Sequence, residues 1–315
     1  MRFLPMYIVS VMVLGANVVF GQHYPNKPIR LVASDAGGAG DITARVIGQS
    51  IADVLGQPMV IDNRAAYAAQ ESVAKAAPDG YTLFLGGSSF IVGPLIQPRP
   101  WDPVRDFAPI SMTDSSPNVL VVHPSLAVKS VKELIAVAKA QPGKLNYAGS
   151  GVGGSPHLAG ELFKNMAGVD IVRVPFKGGG PAIIGLASGE VQMMFPVGGS
   201  AKPLVQSGKL IALAVTTRRP SVIFPGVPTV ADSGLPGYEV VNTMSLFAPA
   251  KTPAAIINRL NRVTVMVLGR ADIKERYLTM GIEATPSSPQ QLSEFIKSET
   301  TKWGKLIKEA GIRAE

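Results

Sequence analysis

Residues 29–55 read IRLVASDAGGAGDITARVIGQSIADVL, and this stretch decides the fold class. The run 29–33 is short and apolar apart from Arg30, and small residues and glycines follow it, the pattern of a buried strand entering a loop. Beyond the loop, Ile42, Val46, Ile47, Ile51, Val54 and Leu55 recur at helical spacing, with Gly56 at the stop and Pro58 just past it. Asp41 is the expected N-cap, because a side-chain oxygen there accepts an unpaired first-turn N–H. The unit is strand, glycine loop, helix. Such a loop sets backbone N–H groups and the positive end of a helix dipole at the carboxyl end of a strand, where open α/β sheets hold ligands.

The unit repeats on both sides of the chain's middle. Strands are expected at 59–63 and 81–85, a helix at 68–76 and a turn at Pro78-Asp79-Gly80. Alternating strands and helices imply a parallel sheet covered on both faces. Further on, Ser130-Val-Lys-Glu133 is a capping box, and Pro142-Gly143 ends the helix it starts. A strand at 145–148 then runs into a second glycine loop, GSGVGG at 149–154, with Ser155 as expected N-cap and Pro156 first in the helix. Strands at 169–174, 191–195 and 210–215 and a helix at 181–187 complete a second α/β unit. Near the end, Ser288-Pro-Gln-Gln291 is another capping box, ahead of an apolar stripe of Leu292, Phe295, Ile296, Trp303, Leu306 and Ile307 that is expected to face the core.

Composition agrees with a folded chain of this size: of 315 residues 46% are hydrophobic and 17% charged. Met1 and Arg2 precede an uncharged run, 3–20, and Val19-Phe20-Gly21 offers a cleavage site, so residues 1–21 are read as a secretory signal peptide cut near Gly21 and the mature chain as periplasmic. Cysteine is absent, which excludes a disulfide framework, a lipid-modified cysteine and a thiol nucleophile. Loss of Arg2 leaves 29 basic against 22 acidic residues, so the formal charge goes from +8 to +7, a balance that favours anionic small ligands.

Several catalytic and cofactor motifs fail on their context. Gly149 to Gly154 satisfies G-x-G-x-x-G, but the acidic residue that would read a ribose should close the next strand, and Asp170 opens it. No Walker sequence is present. Ser72-Val-Ala-Lys75 matches S-x-x-K without its companion motifs, since Lys251-Thr252 runs into proline. His23, His123 and His157 lack metal-binding spacing, and the basic residues are dispersed without interleaved aromatics, so no metal, no cofactor and no nucleic acid is expected. An enzyme on the same fold using Asp35, Asp41 or His157, and a degenerate signalling receptor, stay open as alternatives.

A set of longer segments carries a family resemblance. In order they are Tyr24-Pro-Asn-Lys-Pro-Ile-Arg-Leu31, Leu55-Gly-Gln-Pro58, Asp62-Asn-Arg64, Val73-Ala-Lys-Ala-Ala-Pro-Asp-Gly-Tyr-Thr82, His157-Leu-Ala-Gly-Glu-Leu-Phe163, Val174-Pro-Phe-Lys-Gly178, Gly226-Val-Pro-Thr-Val230 and Leu246-Phe-Ala-Pro249. Together they resemble the tripartite tricarboxylate transporter substrate-binding family, the Bug receptors. The resemblance implies a two-lobed, type II periplasmic-binding-protein-like α/β fold, each lobe a mixed, largely parallel sheet flanked by helices. Lobe 1 would be 22–120 plus 245–315 and lobe 2 121–244, with hinge crossings near 119–123 and 239–246. It also implies a monomeric solute receptor, not an enzyme, that closes on a small carboxylate and hands it to membrane transporter subunits or a sensor.

Carried onto this sequence, the family's ligand loops point to Gly37 and Gly38, and to Ser150, Gly151, Gly154 and Ser155. Phe176 takes the place of the family's usual tyrosine, and Ser88 beyond the third strand and Asp41 join the candidate ligand-binding set. Two departures fall in the loops. The first loop lacks the usual prolines and places Asp35 near an aromatic position, which suits a ligand that also carries a cationic or hydroxyl group, such as an amino acid. After Arg64 a glycine-free segment, 65–70, replaces a glycine-rich one, and Tyr67 is expected to fill its place.

Overall fold

Alternate side chains of the first strand, β1 (Ile29–Ser34), feed two different cores. Ile29, Leu31 and Ala33 join one buried cluster and Val32 joins another, as the two-residue period of a strand covered on both faces requires. The computed structural model describes residues 24–34, 39–149, 151–309 and 311–312. The expected signal peptide, Asp35, Gly37, Gly38 and Ser150 lie outside the described residues.

From β1 the chain continues through α1 (Ala39–Leu55), β2 (Met59–Arg64), α2 (Ala66–Ala74), β3 (Thr82–Gly87), α3 (Ser88–Ile96) and β4 (Phe107–Pro117). It then forms β5 (Val119–Val122), α4 (Val131–Ala140), β6 (Asn146–Gly149), α5 (Ser155–Ala167), β7 (Val172–Pro175), α6 (Gly179–Ala187), β8 (Met193–Met194), α7 (Gly198–Gln206) and β9 (Ile211–Val215). It ends with β10 (Val241–Pro249), α8 (Ala254–Gly269), α9 (Ala271–Thr279), β11 (Glu283–Ala284) and α10 (Pro289–Glu309).

Among the described residues these strands make two sheets, β11-β4-β10-β3-β1-β2 and β7-β6-β8-β5-β9. Each has a parallel part, built from β1, β2 and β3 in one and β6, β7 and β8 in the other, as the strand-helix alternation predicts. The rest makes each sheet mixed, as the family resemblance implies. β4, β10 and β11 pair antiparallel in the first sheet, and β5 pairs antiparallel with β8 and β9 in the second. In the first sheet β10 returns from the second sheet and inserts between β3 and β4, running opposite to both.

The two sheets share a core. On one face of the first sheet Leu31, Leu83, Leu85 and Leu246 pack with α1 and α8, while Val32, Phe84 and Phe247 on the other face belong to a cluster that continues through Leu120, Val122, Tyr147, Phe163 and Phe195 of the second. The α10 stripe closes this shared cluster with Leu292, Ile296, Trp303, Leu306 and Ile307, and Phe295 packs at its margin. The box at Ser288 closes in both directions, whereas at Ser130 the Glu133 carboxylate turns to the Lys129 N–H at 2.7 Å. Ser130 Oγ accepts from Glu133 N–H at 3.2 Å; Ser288 Oγ accepts from Gln291 N–H at 3.1 Å while Gln291 Oε1 accepts from Ser288 N–H at 2.8 Å.

The chain passes between the sheets through a short hydrogen-bonded node. Asn118 N–H donates to Thr216 Oγ1 at 3.0 Å, Thr216 N–H to Asn118 O at 2.9 Å and Val240 N–H to Thr216 O at 3.0 Å. A second contact joins α7 to the turn before β11, where a Cβ on Gly199 would collide with the Met280 carbonyl and one on Gly281, at φ +72°, would lie 2.6 Å from Gly199 Cα.

Helix α5 sits on β6 just as closely. A Cβ on Gly160 would lie 2.5 Å from Cε2 of the fully buried Tyr147 ring, whose hydroxyl donates to Glu161 Oε1 at 2.6 Å. Gly160→Ala is therefore expected to lose about 1–3 kcal/mol in a urea titration, because overpacking outweighs the gain in helix propensity. An unchanged midpoint would show that the ring moves freely.

Candidate functional site

Helices α1, α2, α3 and α5 all begin at the carboxyl ends of the parallel strands that precede them. Three of these starts meet one strand. Met244 on β10 touches the beginnings of α1 and α3, since a Cβ on Gly40 would lie 3.8 Å from its Cε and one on Gly87 3.0 Å from its Sδ. Two residues away on the same strand, Asn242 Oδ1 accepts from Ser155 Oγ of α5 at 3.2 Å, and its Nδ2 reaches Ser116 Oγ at 3.4 Å. The second glycine loop also leans on α3, where a Cβ on Gly153 would lie 3.5 Å from Gly93 and Ile96. Helix starts from both sheets thus converge, and the first-turn N–H groups and dipole of a helix start favour an anion.

Asp41 does not cap α1 as expected. The helix starts at Ala39, so Asp41 lies inside the first turn, 5% exposed, where its charge complements the dipole. Arg45 Nε contacts Asp41 Oδ1 at 2.9 Å, and Arg45 Nη2 donates to Asn63 Oδ1 at 3.2 Å, whose Nδ2 donates to Ser34 O at 3.2 Å. The carboxylate is thereby turned to the scaffold. Ser88 is the first residue of α3, with Gly87 as an extended N-cap that offers no side-chain bond. Ser89 stands beside it in the same first turn, and sequence reasoning passed over it because 88–96 carries no polar period to announce a helix.

Ser155 is likewise corrected. Gly154 occupies the N-cap and Ser155 the first helical position, which frees the serine hydroxyl for Asn242. Two N–H groups of the loop are used within it: Gly153 donates to His157 Nδ1 at 3.1 Å and Gly154 to Gly151 O at 3.1 Å. Among the described residues the Gly151 and Ser155 N–H groups have no hydrogen bond of this kind. His157, 3% exposed, holds the loop's shape, so its ring is a structural support here.

Tyr67, in the first turn of α2, is half-exposed, and the Arg99 guanidinium lies 3.3 Å from its ring centroid. Phe176 follows β7 and packs on α6, where a Cβ on Gly185 would lie 2.7 Å from its ring, so it is anchored on its own sheet's side. Beneath α1, Asp114 of β4 is 1% exposed and meets the hydroxyls of Thr113, at 3.0 Å, and Thr43. Burial pushes its carboxyl up to about 7. Nearby Tyr277 is raised by its own burial and then by the Asp114 charge. Among the described residues no group of three His, Asp or Glu side chains is placed to hold a metal, and no helix is long and apolar enough to cross a membrane.

Comparison with known proteins fits this geometry. The family model described as tripartite tricarboxylate transporter family receptor matches residues 43–312. Protein BugT of Bordetella pertussis is 34% identical over 316 residues, covering 97% of each chain. Among solved structures, R. palustris Rpa4515 with adipate is 35% identical with a TM-score of 0.85, over 92% of this chain and 99% of that one. MatC (Rpa3494) from Rhodopseudomonas palustris with bound malate is 29% identical with a TM-score of 0.81, over 90% of this chain and all of that one.

Proposed function

Because this chain belongs to the tripartite tricarboxylate transporter receptor family, we propose that it captures a small organic carboxylate between its two sheets. The observation that carries this reading is the meeting of the α1, α3 and α5 starts on Asn242 and Met244. A carboxylate there is bound by N–H groups of Gly151 and Ser155 and by the hydroxyls of Ser88 and Ser89, with Gly37, Gly38 and Ser150 as further donors by the family resemblance and Asp35 reserved for a cationic or hydroxyl group of the ligand. Tyr67 and Phe176 wall the space. The relatives with adipate and with malate support a small carboxylic acid as the ligand class.

The lobes are 22–120 plus 245–315 and 121–244, and closure turns on the segments at 119–123 and 239–246, next to the Asn118-Thr216-Val240 node. Ligand in the cleft favours the closed arrangement, as in other two-lobed receptors. The protein works in the periplasm, releases its ligand unchanged and passes it to membrane transporter subunits or a sensor. The test is a melting-temperature screen with carboxylates and amino acids. A matching acid at about 100 times its Kd stabilises the native state by about 2.7 kcal/mol and raises the melting temperature by several degrees. A flat profile across the whole panel contradicts the reading.

A further inference from the structure

Arg99 is placed for a task that the scaffold does not explain. Its guanidinium carbon lies 3.3 Å from the Tyr67 ring centroid, and Nη2 donates to the neutral Gln97 Oε1 at 2.6 Å. Nε is buried without a hydrogen-bond partner. No carboxylate among the described residues pairs with this cation, although Arg30, Arg45, Arg64, Arg105 and Arg270 each meet an aspartate. A stacked guanidinium keeps its fork of donors in a fixed plane, at little further entropic cost when an anion arrives.

Its position gives that fork a direction of use. Tyr67 stands in the first turn of α2, three residues beyond the carboxyl end of β2. Arg99 itself is three residues past Ile96, which touches Gly153 of the second sheet's glycine loop. The cation is therefore held on the α2 start, at the carboxyl end of β2, and the chain that carries it comes from the helix that meets the second glycine loop. The helix starts supply neutral donors for one carboxylate. Arg99 supplies a charge that no carboxylate among the described residues neutralises.

We propose that Arg99, held flat on Tyr67, recognises a second carboxylate and so selects dicarboxylic over monocarboxylic acids. This rests on the carboxylate-binding reading above. A two-pronged, charge-assisted contact with one acid group of the ligand is lost when that group is a methyl, which also leaves the guanidinium desolvated and unpaired.

The test titrates the protein with adipate and with hexanoate, equal in length and differing in the second acid group, alongside Arg99→Gln and Tyr67→Leu variants. The wild type is expected to prefer adipate, and Arg99→Gln to weaken adipate about tenfold while leaving hexanoate within about twofold. Tyr67→Leu is expected to move adipate in the same direction by less, since the charge stays and its platform goes. An equal loss for both acids, or adipate binding unchanged in Arg99→Gln, overturns the proposal while the receptor reading stands. A wild type that binds neither of these acids, nor any acid of the melting screen, overturns both.

Discussion

Asp114→Asn is expected to stabilise the protein by roughly 2–4 kcal/mol at pH 8 and by almost nothing at pH 4. Asp114 is 1% exposed and has no lysine or arginine partner; the groups that meet it are the Thr113 and Thr43 hydroxyls and, through space, the Tyr277 phenol. Burial raises the folded carboxyl to about 7, whereas the unfolded chain releases its proton near the usual aspartate value of about 3.9. Between these values the folded state binds the extra proton, so stability falls as pH rises through that window and is level above it. Asparagine keeps a carbonyl acceptor for the threonine hydroxyls and adds an N–H where Tyr277 Oη lacks a partner. Urea titrations at several pH values check this. Parallel wild-type and variant profiles from pH 4 to 8 would mean that Asp114 stays ionised throughout.

Trp303→Ala is expected to lose about 3–5 kcal/mol, the largest loss among single truncations considered. Trp303 is 1% exposed in the cluster shared by both sheets, its Nε1 donates to Glu299 Oε2 at 2.6 Å, and Lys302 Nζ lies 4.7 Å from its ring centroid while donating to Glu239 O at 2.8 Å. The helix thereby ties the first sheet's core to the segment that returns from the second. Removing the indole opens a cavity at that joint, and the stiff neighbours collapse only partly. Phe295→Ala, on the margin of the same stripe, is the comparison and should lose distinctly less. A Trp303→Ala variant within 1 kcal/mol of wild type by urea titration would show that α10 is not part of the shared core.

Much of this architecture was legible because it is written in local patterns. The period-two alternation of β1, the capping boxes at Ser130 and Ser288 and the α10 stripe each follow from side-chain direction within one element. Helix starts were less legible at the glycine loops. Asp41 and Ser155 are good caps by residue type, yet the helices begin three positions and one position earlier than such caps would set, because small residues and glycine enter a first turn readily. Helix α3 escaped notice since SSFIVGPLI is apolar throughout and contains Gly93 and Pro94. The antiparallel part of the first sheet depends on β10, which returns from far along the chain to lie between β3 and β4, and no periodicity announces that.

The candidate site divides in the same way. The candidates Gly151 and Ser155 come from the family resemblance, and they and Ser88 sit where a strand end runs into a helix start, which is a local pattern. Asn242, Met244 and Arg99 are not legible in this way, since each is distant in sequence from the helix starts or the ring it meets, and only tertiary packing brings them there. Glycine-loop motifs thus identify the edge of the sheet where binding is proposed, and the residues that the fold delivers to that edge are not legible in local patterns.

The most direct measurement is equilibrium dialysis of the protein against isotope-labelled succinate, malate, glutarate and adipate, followed by chemical identification of the label recovered. The account predicts saturable retention of at least one acid, one molecule per chain, returned unchanged and displaced by the unlabelled form. No retained label from any of the four, or label recovered as a different compound, would contradict a receptor that holds a small carboxylate between its two sheets.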